Sequence, residues 1–319
     1  MRTFTKPTVI VSKCLEFDAC RYNGDLISDI VVKSLMSHVH FIPVCPEVEI
    51  GLGTPRETIR IVEEDGVFKL VQPSSGADVT EAMMSFSAHF LSSVEADGFI
   101  LKSRSPSCGT RDVKIYAGGK IPAGKGSGFF GGAVLEKFAH LAIEEEGRLR
   151  NFTIREHFFT KLFTIAAFKA LKHEPNMKKL VKFHSDNKYL FMAYNQTKLK
   201  EMGRIVANHE KHSLSEVVVA YEKGLYDMFQ RAARYTSHVN VCQHIFGYFK
   251  DKLRKEEKEH FLLLLDKYSK KKIPLSSILA LLRSWTIRFE EQYLEQQTYF
   301  EPYPEDLMDI SDSGKGRDY

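Results

Sequence analysis

Short apolar runs alternate with helical patterns along the first half of the chain, and this alternation constrains the fold more than any other feature. The apolar runs are typical of buried strands, and the segments between them repeat apolar residues at helical spacing. The predicted strands cover residues 8–11, 41–44, 68–71, 98–102 and 114–117, and the predicted helices cover residues 27–38, 79–94 and about 130–145. Strands that alternate with helices form a mostly parallel sheet with helices on its faces. We therefore predict a Rossmann-like α/β domain over residues 1–148.

The pattern changes after the acidic run at residues 144–146. Residues 152–297 contain only two prolines and few glycines, and their apolar residues recur at helical spacing. This predicts an all-helical domain over residues 152–300. The remaining segment, 301–319, is predicted to be a disordered tail, because its sequence becomes poor in apolar residues from Asp309 onward.

Length and composition are those of a soluble two-domain protein. A chain of 319 residues is long for one hydrophobic core. Its contents of 43% apolar and 27% charged residues are ordinary for a globular protein. No window approaches the ~20 apolar residues of a membrane helix, and the N-terminus turns polar too early for a signal peptide. We expect a cytoplasmic protein without a membrane partner.

The cysteines are concentrated in the first third of the chain, and in a cytosolic protein such clustering is typical of metal or catalytic sites. Cys14, Cys45 and Cys108 each follow a predicted strand, and Cys20 lies in the same loop as Cys14. Because the carboxyl ends of parallel strands meet at one edge of a sheet, we expect these thiols to lie together. The sequence therefore predicts a shared metal or cluster site.

Two kinds of metal centre compete for these thiols. A closed zinc site would use all four of Cys14, Cys20, Cys45 and Cys108, but the spacing lacks the C-x2-C pairs that are usual for zinc. Three thiolates from separate loops suit a 4Fe–4S cluster that leaves one iron open. An open iron is a Lewis acid that can bind a substrate atom.

Polar residues stand beside the cysteines in two of these loops. Glu47 follows Cys45 by two residues, where it could act as a general acid or base or simply face solvent. Ser105 and Ser107 flank a proline just before Cys108. Loop serines more often cap turns than take part in chemistry.

Several motifs resemble those of known families. The chain resembles the thiouracil desulfidase family in CLEFDACRYNG at residues 14–24, PVCPEVEIGLGTPRE at residues 43–57 and SPSCG at residues 105–109. The second half resembles a helical domain of unknown function that is often fused to that family. Its motifs here are EEEGRL at residues 144–149, HVNVCQH at residues 238–244 and GYFK at residues 247–250.

The resemblance implies a non-redox removal of sulfur from a thiolated pyrimidine such as 2-thiouracil, which gives uracil and sulfide. It implies a 4Fe–4S cluster held by Cys14, Cys45 and Cys108, whose open iron takes the sulfur, with Cys20 as a possible alternative ligand. It also implies that Glu47 transfers a proton and that Ser105 positions the substrate or the attacking water.

The charge distribution supports a second hypothesis. Residues 151–319 carry 28 Lys and Arg against 22 Asp and Glu, a balance of +6, whereas residues 1–150 carry 17 against 19, a balance of −2. A basic half is compatible with a nucleic-acid partner. The alternative is therefore a nucleic-acid-binding module that modifies thiolated RNA or senses redox state through the cluster.

Overall fold

The structure is a computed structural model that describes residues 2–117 and 121–312. It divides into two compact units. Of the described residues, an α/β unit comprises 4–166 and 304–312, and a helical unit comprises 167–303 with residues 2 and 3. The division falls inside one long helix, Phe152–His173, whereas the sequence analysis sets the boundary near residue 150.

The α/β unit is built on a parallel sheet. Its strands are β1 (Thr8–Ser12), β2 (His40–Val44), β5 (Gly98–Leu101) and β8 (Ala142–Glu145), in the order β2-β1-β5-β8. All three strand pairs are parallel. Val9, Ile10 and Val11 are fully buried, because β1 is covered on both faces. This confirms the predicted α/β fold with a mostly parallel sheet.

A second sheet in the same unit is not anticipated as such by the sequence analysis. Its strands are β3 (Arg60–Glu64), β4 (Val67–Val71), β6 (Val113–Tyr116) and β7 (Pro122–Gly126), in the order β4-β3-β6-β7. Only the β3–β6 pair is parallel among these described strands. The strand predictions at residues 68–71 and 114–117 correspond to β4 and β6, while β3 and β7 have no predicted counterpart.

The prediction of the helix over about 130–145 was wrong at its C-terminal end. The helix expected over about 130–145 stops at Phe138, and residues 142–145 form β8, which pairs in parallel with β5. Glutamates favour helices, so the local sequence resembles a helix. Pairing with the buried strand β5 overrides that local preference.

Both units also contain α-helices. In the α/β unit they are α1 (Ile30–Leu35), α2 (Pro46–Glu49), α3 (Thr80–Ser93) and α4 (Phe129–Phe138). The second half contains α5 (Phe152–His173), α6 (Met177–Asp186), α7 (Lys188–Tyr194), α8 (Gln196–Ala207), α9 (Leu214–Met228), α10 (Tyr235–Phe246), α11 (Lys255–Ser269), α12 (Leu275–Arg288) and α13 (Gln292–Glu295). The mostly helical second half is thus confirmed. Within the described ranges, no helix is both long and apolar enough to cross a bilayer.

The tail differs from the sequence expectation as far as it is described. Tyr303 and Leu307 are buried, and residues 305–307 form a 3₁₀ helix. The guanidinium of Arg155 donates to the carbonyls of Asp309 and Ser311. The prediction of disorder from residue 301 was therefore wrong up to 312, because it weighed average polarity and not the two apolar side chains that are buried. Residues 313–319 lie outside the described part of the chain.

Helix α4 packs directly against the loop that carries Cys108. The N–H of Gly131 donates to the carbonyl of Ser107 at 2.9 Å. A Cβ atom on Gly131 would lie 2.5 Å from the carbonyl oxygen of Cys108 and also overlap the carbonyl of Gly109. Glycine is therefore required here, because the helix backbone touches the loop backbone.

We expect Gly131→Ala to lower the free energy of unfolding by about 1–3 kcal/mol, since the added methyl group forces the loop away from α4. Gly132→Ala is the matched control, because its Cβ would meet mainly the side-chain oxygen of Ser127, which can rotate away. Chemical denaturation of both variants without metal measures the difference. Equal stability of the two variants would contradict the backbone contact.

Candidate functional site

Neighbouring parallel strands bring three cysteines to one edge of the sheet. Cys14 follows β1, Cys45 follows β2 directly, and Cys108 lies in the loop after β5. β1 lies between β2 and β5, so the crevice at the carboxyl ends of these strands is where an open α/β sheet binds ligands. The N–H of Lys102 donates to the hydroxyl of Ser12 at 2.8 Å and ties the ends of β5 and β1 together.

The three thiols interact electrostatically with one another. Burial raises the pKa of Cys14 to about 12, and the neighbouring thiol of Cys45 adds to this shift. Burial also raises the pKa of Cys108, with Cys14 and Cys45 adding to the effect and the hydroxyl of Ser12 opposing it. Cys45 and Cys108 are buried and Cys14 is half-buried. The three expected ligands are therefore mutual neighbours that are largely removed from water.

Cys20 stands beside this group. Burial, together with the neighbouring thiols of Cys45 and Cys14, raises its pKa to about 12. The thiol of Cys45 donates to the carbonyl oxygen of Cys20, with 3.9 Å between sulfur and oxygen. Cys20 is thus close enough to take part in a shared centre, which the sequence analysis left open.

The donor set suits a thiolate-bound group that spans several metal atoms. Among the described residues, no three His, Cys, Asp or Glu side chains converge so as to hold a single metal ion. In an iron–sulfur cluster each thiolate binds a different iron, so its ligands need not converge on one point. Soft thiolates also select iron–sulfur clusters over hard cations such as Mg²⁺.

Glu47 is held within the site and does not face solvent. Cys45 precedes α2, which begins at Pro46, and Glu47 lies in the first turn of that helix. The hydroxyl of Ser107 donates to Oε1 of Glu47 at 2.6 Å, and Nε of Arg56 donates to its Oε2 at 2.8 Å. Both carboxylate oxygens therefore have a fixed partner, and the sequence alternative of a solvent-facing glutamate is wrong.

The two serines of the Cys108 loop have different contacts. The hydroxyl of Ser105 accepts from the N–H of Cys108 at 3.1 Å and from that of Ser107 at 3.3 Å. The hydroxyls of Ser105 and Ser107 are 2.9 Å apart. Ser105 therefore shapes the turn around Cys108 and reaches Glu47 through Ser107. The sequence analysis singled out Ser105, whereas Ser107 is the serine that touches the carboxylate.

Arg56 is the site residue that the sequence analysis missed. Its side chain is only 4% exposed. Besides Glu47, its guanidinium donates to the carbonyl of Cys20 at 2.8 Å and to the sulfur of Cys45 at 3.8 Å. It lies inside the motif at residues 43–57, but a single arginine in a loop gives no signal of these contacts.

Two glutamates at the end of β8 anchor the loop between Lys102 and Arg111. Oε1 of Glu146 accepts from Nζ of Lys102 at 2.5 Å. Oε1 of Glu145 accepts from the N–H of Thr110 at 2.7 Å, from its hydroxyl at 3.0 Å and from the N–H of Arg111 at 3.2 Å. The motif at residues 144–149, which resembles the helical domain, belongs to the α/β unit and holds its cysteine loop, so its assignment to the helical domain is wrong.

The first half of the chain is similar to a known family. Residues 9–146 match the family model described as 2-thiouracil desulfurase. An uncharacterized Bacillus subtilis (strain 168) protein, YbbK, is 35% identical over 148 residues, which are 43% of this chain and 95% of that protein. The chain belongs to the 2-thiouracil desulfurase family. It is therefore a member of a family of enzymes, as the motifs predict.

The second half matches a family without an assigned function. Residues 188–304 match the model described as protein of unknown function DUF1722. An uncharacterized Escherichia coli (strain K12) protein, YbgA, is 26% identical over 136 residues, which are 42% of this chain and 80% of that protein.

A solved structure of the [4Fe-4S]-dependent thiouracil desulfidase TudS is 27% identical, covering 45% of this chain and 93% of that chain, with a TM-score of 0.36.

The anchoring role of Glu145 predicts a clear effect on stability. Glu145→Gln weakens three hydrogen bonds in a buried site, and we expect it to lower the free energy of unfolding by about 1–3 kcal/mol. Glu144→Gln is the control, since Glu144 pairs with Arg148, whose side chain is partly open to water, and an ion pair open to water contributes about 0–1 kcal/mol. Thermal unfolding of the two variants without metal gives the comparison. A Glu145 variant as stable as the Glu144 variant would disprove the anchor.

Proposed function

We propose that this chain removes sulfur from a thiolated pyrimidine such as 2-thiouracil, giving uracil and sulfide, with the help of a 4Fe–4S cluster. The observation that carries the proposal is the meeting of Cys14, Cys45 and Cys108 beside Glu47, in a member of the 2-thiouracil desulfurase family. The reaction balances without any redox partner: a thiocarbonyl and water become a carbonyl and hydrogen sulfide.

The residues of this chain divide the work of the reaction. Cys14, Cys45 and Cys108 would hold the cluster as thiolates. When bound, such a cluster with one iron free of protein ligands supplies a Lewis acid for the soft sulfur of a thiocarbonyl. Glu47 takes a proton from the water that attacks the ring carbon and returns it to the departing sulfur. Ser105 positions the substrate or this water, and Ser107 connects it to the carboxylate.

The first test is turnover of the free base by the anaerobically reconstituted protein. We expect uracil and sulfide to form in equal amounts from 2-thiouracil. Glu47→Gln should retain the cluster and lose about 10²–10⁴-fold in kcat, because proton transfer by a placed side chain contributes that much. A cluster-loaded wild type that releases no sulfide from any thiolated pyrimidine, free or in RNA, would overturn the proposed activity.

The second test concerns the ligands. Serine substitution of Cys14, Cys45 or Cys108 should abolish iron binding or sharply reduce it, while Cys20→Ser should retain the cluster. Cys242→Ser is the matched control, because Cys242 is also a buried thiol but lies in α10 of the helical unit. Iron and acid-labile sulfide per chain are measured. Retention of the cluster by Cys14→Ser, with its loss in Cys20→Ser, would reassign the ligand.

A thiolated base within RNA is the second candidate substrate, and a surface of the helical unit favours it. Tyr248 and Tyr293 stack with 6.2 Å between ring centroids, and Nζ of Lys188 lies 5.9 Å from the ring of Tyr293. Tyr248 is 37% exposed. Aromatic rings beside lysines can stack unpaired bases and contact phosphates, and the half that carries them has a balance of +6.

RNA binding and sulfide release, measured with each of the two substrates, separate the candidates. If RNA is the substrate, the protein should bind thiolated RNA with an affinity that falls steeply with salt concentration. It should then release sulfide from that RNA and leave the free base intact. Release from free 2-thiouracil alone, with no RNA binding at low salt, would reject the second candidate.

A further inference from the structure

The guanidinium of Arg56 contacts the Cys14–Cys20 loop, the Cys45 ligand and the Glu47 carboxylate at once. Nε donates to Glu47 at 2.8 Å, Nη1 donates to the carbonyl of Cys20 at 2.8 Å, and Nη2 donates to the sulfur of Cys45 at 3.8 Å. Nη1 also donates to the carbonyl of Gly53 at 2.9 Å. Three nitrogens of one planar group thus fix the relative positions of three site elements.

The backbone of Arg56 reinforces this arrangement. Its N–H donates to the carbonyl of Tyr22 at 2.7 Å, so the residue is attached to the loop that contains Cys20 from both its main chain and its side chain. The donor geometry requires a fork of N–H groups in one plane. Lysine cannot reproduce it, because its ammonium is a point charge on a flexible stem.

Arg56 and Glu47 form an ion pair that is largely out of water. The side chains of Arg56 and Glu47 are 4% and 11% exposed, and Nε of Arg56 lies 2.8 Å from Oε2 of Glu47. A guanidinium is always charged in proteins, so Arg56 compensates the charge of the carboxylate that it orients.

The sulfur contact gives Arg56 a second effect. A hydrogen bond to a ligand sulfur withdraws electron density from it, and such bonds raise the reduction potential of an iron–sulfur cluster. When Cys45 gives up its proton to bind iron, its own donation to the carbonyl of Cys20 ends. The N–H of Arg56 is still able to donate to the thiolate.

We infer that Arg56 is a positioning residue that holds Glu47 in its reactive orientation and donates to the cluster ligand Cys45 with the same side chain. The inference rests on the proposed function, because it assigns a part within that reaction. Each of the three guanidinium nitrogens of Arg56 has a partner within the protein, so we expect it to act through Glu47 and Cys45 and to leave substrate binding unchanged.

The test compares Arg56→Gln and Arg56→Lys with the wild type after anaerobic reconstitution. We expect both variants to lose about 10–100-fold in kcat per loaded cluster with little change in KM, as is typical when a partner of a metal ligand is removed. We also expect a more negative reduction potential for Arg56→Gln, measured by a redox titration of the cluster spectrum. Arg60→Gln is the matched control, because the guanidinium of Arg60 lies over the ring of Tyr116, away from the contacts described for Glu47 and Cys45.

Three further outcomes test this inference separately from the proposed function. In a Glu47→Gln background, Arg56→Lys should cause no additional loss of kcat, since the arginine affects turnover through that carboxylate and affects the reduction potential through Cys45. Wild-type kcat per cluster and an unshifted potential in the Arg56 variants would overturn the inference while the proposed function stands. A wild type without desulfuration would refute the proposed function, and the potential shift would then still decide whether Arg56 donates to the ligand.

Discussion

The site depends on the parallel pairing of three adjacent strands. Ser12 at the end of β1 is in register with Val44 at the end of β2, and Val11 is in register with Ile100 of β5. The chain therefore leaves the sheet at nearly the same level after each strand. Every loop that carries an expected ligand begins at this edge, so residues far apart in sequence meet without a long excursion of the chain.

Holding thiols together out of water has a chemical consequence. The pKa values of Cys14 and Cys108 are raised by burial first and by neighbouring thiols second, which favours their protonated forms. A metal cluster reverses this preference, because thiolates are neutralised by the iron atoms they bind, and assembly releases protons. Arg56 is a buried cation beside the sulfur of Cys45, so the site already contains a donor suited to the thiolate state of that cysteine.

Much of this arrangement could be predicted from the sequence, for a physical reason. The sequence itself shows the apolar strand segments and the cysteines that follow them. Because the carboxyl ends of parallel strands meet at one edge of a sheet, these positions predict that the cysteines lie close together. The roles of Ser107 and Arg56 could not be found this way, because they arise from side-chain contacts across loops distant in sequence. Glu145 was misread for a similar reason: its run favours a helix locally, and only pairing with β5 makes it the end of a strand that braces the cysteine loop.

We propose that three cysteines hold a cluster with one iron open to substrate. Anomalous diffraction at the iron absorption edge, from crystals of the anaerobically reconstituted chain, would locate the iron atoms and their ligands. We expect one 4Fe–4S cluster bound by Cys14, Cys45 and Cys108, with no protein ligand on the fourth iron. A single zinc or iron ion bound by the four cysteines that include Cys20, or a cluster whose fourth iron is bound by Cys20, would contradict it.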